Sequence, residues 1–498
     1  MGDIRKQTLQ SSVLVYGGFV FGAINTYLFT KSNGFTSEQY GLYQVIISIV
    51  QLLSPLATMG MGLFMYKFFP VYFKYSTSAK NDLLSVVLFV TSIGALLLLP
   101  ASYLAEDVVI KKFGTNAPEL VHYYYWVIVY AFFFTYFLVI ESYYGALKKT
   151  ILPNFLKETF WRFVTLVLGI LVITKVISFK IFIISFCLIY AIIVAILLVQ
   201  LYVHKQLIFT SKLSNVTHKI KKPARYFVAF HYSGILVNAF AKNIDTLALA
   251  SVRGTADAGI FQFNQYLSSI IQVPFRMLQS ISLPIISECW RNKNYAEINR
   301  IYKRSSINLL LVALFVFFNI LLNYYDLQKL LHLNVAYATG FTIFFWLGIS
   351  SIVELSTGVN YAIIGTSPNW RFDFWVNIII LVIAIPFNII AIKWYGKEGA
   401  AYANCILFSS YNIIRLWFIK VKFGMWPFTA NTYIITVLSI IYAVVAYYCG
   451  LHLQGIVGIV VRSGIFVSLF VATVWLGNIT PDVAQLMETI AKRRNKKH

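Results

Sequence analysis

The sequence predicts an all-α, polytopic membrane protein of about fourteen transmembrane helices, and three observations carry that prediction. Apolar residues make up 59% of the 498 and charged residues only 12%, against about 25% charged in soluble domains. The apolar residues run in blocks of about 20, enough to cross a ~30 Å hydrocarbon core at ~1.5 Å per residue. Lys and Arg concentrate in alternate short loops: with the N-terminus taken as cytoplasmic, 27 of the 41 fall in inside segments and nine in outside loops. That asymmetry sets both termini inside. The net charge of +23 is therefore spread as a topology signal, with no single basic patch and no nucleic-acid partner.

The fourteen segments lie near 9–30, 40–65, 82–104, 121–146, 151–175, 178–203, 226–252, 258–284, 305–325, 337–364, 373–393, 398–419, 430–449 and 455–476. The opening MGDIRKQT runs into the first segment with no small-residue cleavage site, so that segment is expected to be a retained anchor. Prolines 55, 274 and 386 fall inside the second, eighth and eleventh segments, where a missing N–H kinks a helix. The longest inside loop, 204–225, contains KIKK and fits either a topology determinant or a contact with anionic membrane lipid. The tail AKRRNKKH has the same character. Cys187, Cys289, Cys405 and Cys449 are scattered in apolar stretches and form no CxxC, so free thiols are expected.

The two halves repeat. GLYQ at 41–44 matches GIFQ at 259–262, Pro55 matches Pro274, and Pro153-Asn154 matches Pro368-Asn369, at offsets of about 215 to 219. Six helices per repeat is even, so both repeats run the same way across the membrane. The resulting plan is an N-lobe over 1–203, a basic linker over 204–225, a C-lobe over 226–424, two accessory helices over 425–476 and a basic cytoplasmic tail over 477–498. Paired lobes of this kind form transporters whose sites lie near the midplane between repeats.

Polar residues inside the segments mark candidate sites, because an ionisable group there costs ~2.5–3.5 kcal/mol and persists only where it faces protein or water. Lys242 and Asp245 lie one turn apart in the seventh segment, with Asn238 on the same face. Arg276 follows Pro274 in the eighth, among Asn264, Gln265, Gln272 and Gln279. Its repeat partner, the second segment, carries Gln44 and Gln51. Both read as walls of a wet cavity. Glu158 and Arg162 are spaced i,i+4 in the fifth segment and are either a self-neutralising pair or site residues. Glu354, beside Ser356 and Thr357, is either a hydrogen-bond acceptor or a proton carrier. Arg415 lies near a helix end and is expected to snorkel. Arg276, Lys242, Arg162, Gln44, Gln51, Asn264 and Gln272 are thus the candidate substrate-binding set, and Asp245, Glu158 and Glu354 the candidate coupling-ion set. Cations in a seam point to an anionic substrate. Catalytic patterns are missing: the seven histidines are isolated, with no HExxH, no GxxxxGK[ST] and no GxSxG. A membrane enzyme is therefore disfavoured, and no metal or organic cofactor is expected.

YGGFVFGAINTYLFTKSNGFTSEQYGLYQVIISIVQLLSPLATMGM at 16–61, KFFPVYF at 67–73, KNIDTLALAS at 242–251 and WYGKEGAAYANCILF at 394–408 resemble the multidrug/oligosaccharidyl-lipid/polysaccharide (MOP) exporter superfamily. The branch they resemble is the polysaccharide transporters, the Wzx-type flippases. That resemblance implies a V-shaped, MATE-like pair of six-helix lobes plus two extra C-terminal helices, in a bacterial inner membrane. It implies flipping of a polyprenyl-diphosphate-linked oligosaccharide, such as an O-antigen or capsule unit, to the periplasmic leaflet, with H⁺, Na⁺ or membrane-potential coupling. The chain is expected to act as a monomer, with a polysaccharide polymerase and glycosyltransferases as further partners. The alternatives are a lipid II flippase and a cation-coupled multidrug exporter. Lipid II flippases carry basic residues in the first two helices, whereas here only Lys31 stands between Lys6 and Lys67. The prenyl tail is expected beside the accessory helices near Arg462.

Overall fold

A computed structural model describes residues 17–75, 82–207, 209–210, 213–477 and 479–480. The start of the first segment and the basic tail from 481 lie outside the described residues.

All regular elements among those residues are helices. An α-helix over 17–30 (α1) leads to α2 (Ser37–Ala57), α3 (Met61–Tyr75), α4 (Leu83–Phe113), α5 (Pro118–His122) and α6 (Tyr124–Ala146). The fifth segment is composite: α7 (Ile151–Asn154), a π-helical turn (Phe155–Phe160) and α8 (Trp161–Ile173). Then come α9 (Phe179–Val203), α10 (Asn215–Val252), α11 (Thr255–Ile271), α12 (Val273–Arg291) and α13 (Tyr295–Leu330). A 3₁₀ turn (Val335–Gly340) precedes α14 (Phe341–Ser356) and α15 (Asn360–Thr366), followed by α16 (Arg371–Tyr395), α17 (Lys397–Phe423), α18 (Ala430–Cys449) and α19 (Gly455–Leu476).

Each of the fourteen predicted segments contains helix in its described part, although the second, eighth and tenth are interrupted at 58–60, 272 and 357–359. Ten helices among the described residues are long and apolar enough to cross a membrane by length and composition. The other four segments fail that criterion for separate reasons. The first is described only from residue 17, the fifth and eighth are each divided, and α17 is too polar.

Two prolines act differently from expectation. The second segment is not one kinked helix; it breaks at 58–60, where Met59 and Gly60 take φ of 49° and 74°, three residues past Pro55. The eighth segment breaks at Gln272, which leaves Pro274 in the first turn of α12, where its missing N–H is an orphan in any case. Pro386 lies within an uninterrupted α16.

Hydropathy also understated two helices. It marks the hydrocarbon-spanning part, whereas backbone hydrogen bonding continues into water. α10 has 38 residues, about 57 Å, and begins at 215 inside the predicted linker. Ser214 caps it by accepting from the Thr217 N–H, and the buried Asp82 Oδ2 accepts from Ser214 N at 2.8 Å and from Thr217 Oγ1 at 2.6 Å. α13 begins ten residues before its predicted start.

The chain divides into two compact units, 1–259 and 260–498. α10 packs on α2, α3 and α4, so it belongs with the first unit rather than beginning the second. In the first unit an aromatic core joins α2, α6 and α9: Tyr43 and Phe186 have ring centroids 4.9 Å apart, and Tyr130 stacks on Tyr190 at 5.6 Å. The GLYQ and GIFQ glycines meet there. A Cβ on Gly41 would lie 1.7 Å from the Thr255 carbonyl oxygen, and one on Gly259 only 3.0 Å from the Gly41 Cα. Only glycine permits this backbone crossing. In the second unit Phe317, Phe344, Phe466 and Phe470 belong to one buried cluster, so the accessory helices α18 and α19 are built onto α13.

Candidate functional site

The first unit holds a half-buried charge cluster on the π-helical turn. Such a turn is rare and frequent at functional sites. Lys157 Nζ lies 3.0 Å from Glu141 Oε1 of α6, and Arg162 lies 3.1 Å from Glu158. α1 closes over this cluster because its small residues allow it. A Cβ on Gly18 would sit 2.3 Å from the Glu158 carbonyl oxygen, Gly22 faces the Arg162 side chain, and Asn25 Nδ2 donates to the Arg162 carbonyl at 2.9 Å. Of the two readings open for Glu158 and Arg162, the ion pair is the one formed.

On α10, Asp245 is buried together with Asn243 and Thr246, while Lys242 and Asn238 are exposed. One helix therefore presents an exposed cation one turn from a buried carboxylate. Gln44 and Gln51 of α2 are half-buried and make no side-chain hydrogen bond to a described residue. Their amides are left for water or a ligand.

In the second unit the α11–α12 break places Gln272 against α14. Gln272 Nε2 donates to Glu354 Oε2 at 2.9 Å and to Ser351 Oγ at 3.3 Å, and Ser268 Oγ lies 3.0 Å from Ser351 Oγ. Arg276, one turn further along, is exposed. It joins no ion pair among the described residues.

Three expectations need correction. Arg415 does not snorkel. It is buried, with Nε 2.6 Å from Asp373 Oδ1 and Nη2 2.9 Å from Asp373 Oδ2. Its guanidinium lies 3.7 Å over the Tyr411 ring, and the Tyr411 hydroxyl bonds both Arg415 and Asp373. Arg462, near which the prenyl tail is expected, does not offer a free charge. It is buried against Asp326 and receives further contacts from Asn323 Oδ1 and the Gly450 and Leu453 carbonyls. Asn264 does not line open space. It is fully buried, donating to the Ile260 carbonyl and accepting from the Tyr324 hydroxyl at 2.7 Å.

Sequence reasoning missed Asp373, Asp326, Tyr411 and Ser351. Asp373 and Asp326 sit near segment ends, where a carboxylate reads as solvated. The available signal was an intramembrane Arg with no carboxylate three or four residues away, which requires a partner on another helix.

The fold has solved relatives. The lipid II flippase MurJ in an inward closed conformation is 15% identical with a TM-score of 0.71, over 95% of this chain and 100% of that one. A multidrug resistance MATE family transporter of the MOP superfamily, inward-facing, is 11% identical with a TM-score of 0.64, over 82% and 94%. The Vibrio cholerae MATE transporter VcmN in its bent form is 14% identical with a TM-score of 0.51, over 84% and 97%. No curated protein sequence matches the chain. The model of the family described as polysaccharide biosynthesis protein matches residues 6–290. With more than half its length matched and a MurJ- and MATE-like fold around the charged helices described above, this multi-pass membrane protein belongs to the polysaccharide biosynthesis protein family of the MOP exporter superfamily.

Proposed function

We propose that the chain flips a polyprenyl-diphosphate-linked oligosaccharide from the cytoplasmic to the periplasmic leaflet of a bacterial inner membrane, by alternating access of two six-helix lobes. The observation that carries this reading is Arg276: a membrane-helix guanidinium, exposed and joined to no carboxylate among the described residues. An uncompensated cation at such a place costs stability and is retained for a ligand. Lys242, exposed on α10, is the candidate substrate cation of the first unit. Arg162, tied to Glu158, contributes only if that pair opens. Gln44, Gln51 and Gln272 offer amides to sugar hydroxyls. Family membership in polysaccharide biosynthesis favours a glycan-bearing lipid over a drug.

Two negative charges leaving a negative-inside cell gain roughly 4.6 kcal/mol per 100 mV, at ~2.3 per charge, so voltage alone drives export of the loaded carrier. Returning the empty carrier is then the step for a bound H⁺ or Na⁺. Glu354 suits this best, since its direct side-chain partner is a neutral amide while Glu158 is held by an arginine. Asp245 is the buried alternative. A cation-coupled exporter of the same superfamily remains the rival reading, because Glu354 and Asp245 would serve it equally.

The test is flipping of a fluorescent lipid-linked oligosaccharide in proteoliposomes. Arg276→Ala and Lys242→Ala are expected to lower the rate by tenfold or more at equal reconstitution. Wild-type rates in both would remove the cationic site, and transport of organic cations in place of glycolipid would favour the rival.

A further inference from the structure

α10 leaves its predicted membrane segment as a helix. Residues 215–225 add about three turns ahead of the apolar run that starts at Tyr226. These turns are built onto the first unit. Ser214 and Thr217 bond to the buried Asp82, and the Tyr72 hydroxyl lies 2.7 Å from Thr217 Oγ1. Ala224 is buried, with Thr217, Ile220 and Val228 half-buried on the same side. The other side is basic. His218, Lys221, Lys222 and Arg225 are exposed and share about 100° of the circumference, at ~100° per residue. Lys219 is exposed beside them. No Asp or Glu stands between Ser214 and Asp245. Among the described residues none of these four Lys and Arg side chains joins an ion pair or a hydrogen bond. Lys242 lies 20 residues beyond Lys222, about 200° further round the helix, so the stripe faces away from the candidate substrate cation.

We propose that this stripe is a docking surface for anionic phospholipid headgroups, of the phosphatidylglycerol class, in the leaflet where α10 emerges. Three features select this occupant. The first is depth. Lys219 to Arg225 lie about 2–10 Å along the axis from the start of the apolar run, and a headgroup layer is about 5–8 Å thick. A helix that crosses the bilayer meets headgroups sideways at that depth, so cations on its outer side reach their phosphates. The second is the boundary: Tyr226, next to Arg225, is 72% exposed, as suits a ring at the edge of the hydrocarbon. The third is arrangement. A topology signal needs basic residues near a segment and is indifferent to the helix face that carries them. Here they sit on one side of a helix whose other side is anchored through Asp82, with no carboxylate among them. This surface does not depend on which substrate the chain carries.

The test reconstitutes the full chain in nanodiscs of phosphatidylglycerol and phosphatidylcholine in equal amounts. Each lipid in turn carries a photoactivatable headgroup, and cross-links are mapped along the chain by mass spectrometry. In wild type, residues 215–229 are expected to capture phosphatidylglycerol about tenfold over phosphatidylcholine, since one basic residue near an anionic surface is worth up to about fivefold. Lys219→Gln/Lys221→Gln/Lys222→Gln/Arg225→Gln is expected to bring that ratio to about one. Salt at about 1 M should do the same in wild type, which decides the matter even if the fourfold variant fails to fold. Equal capture of the two lipids by wild type overturns the proposal, and is the result expected if the stripe serves a soluble acidic protein instead. A phosphatidylglycerol preference that survives high salt, or that persists in the folded fourfold variant, overturns it as well.

Discussion

The Arg415–Asp373 pair offers the sharpest test of the second unit's core. Both side chains are under one-tenth exposed, and the guanidinium meets the carboxylate through two nitrogens at 2.6 and 2.9 Å. Asp373→Ala leaves a buried guanidinium with the Tyr411 hydroxyl and ring and the Tyr361 ring, whose centroid is 5.4 Å away. Removing one partner of a buried pair costs about 3–5 kcal/mol, while replacing both by apolar residues of similar size is often neutral or better. Asp373→Leu combined with Arg415→Met is therefore expected to lie within about 1 kcal/mol of wild type. Each single change should cost at least about 3 kcal/mol. The coupling energy from the double-mutant cycle is then several kcal/mol, read from reversible unfolding in detergent. Additive single and double effects, or singles costing less than about 1 kcal/mol, would refute the assignment of this pair as a buried structural tie.

Gly41→Ala should sharply lower folded yield and melting temperature, since its Cβ would overlap the Thr255 carbonyl oxygen; an unchanged melting temperature would contradict the close approach of Gly41 to Thr255. Tyr324→Phe removes the donor to the buried Asn264 amide and should cost about 1–3 kcal/mol of stability while leaving the flipping rate per folded molecule unchanged. A rate loss with full stability would return Asn264 to the substrate site. Glu354→Gln keeps a side chain that can meet Gln272 and loses the charge, so flipping should lose its response to an imposed proton or sodium gradient while carrier binding persists. A gradient response equal to wild type would exclude Glu354 as the coupling group.

Much of the fold was legible because membrane insertion writes itself in composition. A run of about twenty apolar residues identifies a helix whatever its neighbours. The i,i+4 pair Glu158–Arg162 was equally readable, being local to one helix. What stayed hidden was whatever a second helix supplies. Asp373 and Arg415 are 42 residues apart, and Asp326 and Arg462 are 136 apart, so no periodicity relates them. The same blindness misplaced Asn264. On a helix rich in amides, an amide reads as cavity-facing, yet this one is consumed by Ile260 and Tyr324. Polarity tells that a side chain avoids lipid, and only packing tells whether it faces water or protein.

That distinction sorts the intramembrane cations. Lys157, Arg162, Arg415 and Arg462 each lie in an ion pair with a carboxylate, and Arg415 and Arg462 are buried with theirs. The pairs of Lys157, Arg415 and Arg462 join one helix to another, as the docking of α19 on α13 through Arg462 and Asp326 illustrates, and they offer a passing anion little. Lys242 and Arg276 are exposed, and each stands one turn from a polar group held on its own helix: the buried Asp245 in one case, Gln272 with its bond to Glu354 in the other. Cation and carboxylate thus occur in the same neighbourhood without the guanidinium of Arg276 being paired. On the proposed reading, a diphosphate arriving at Arg276 meets a guanidinium that joins no ion pair among the described residues, so no carboxylate there has to be displaced before the anion binds.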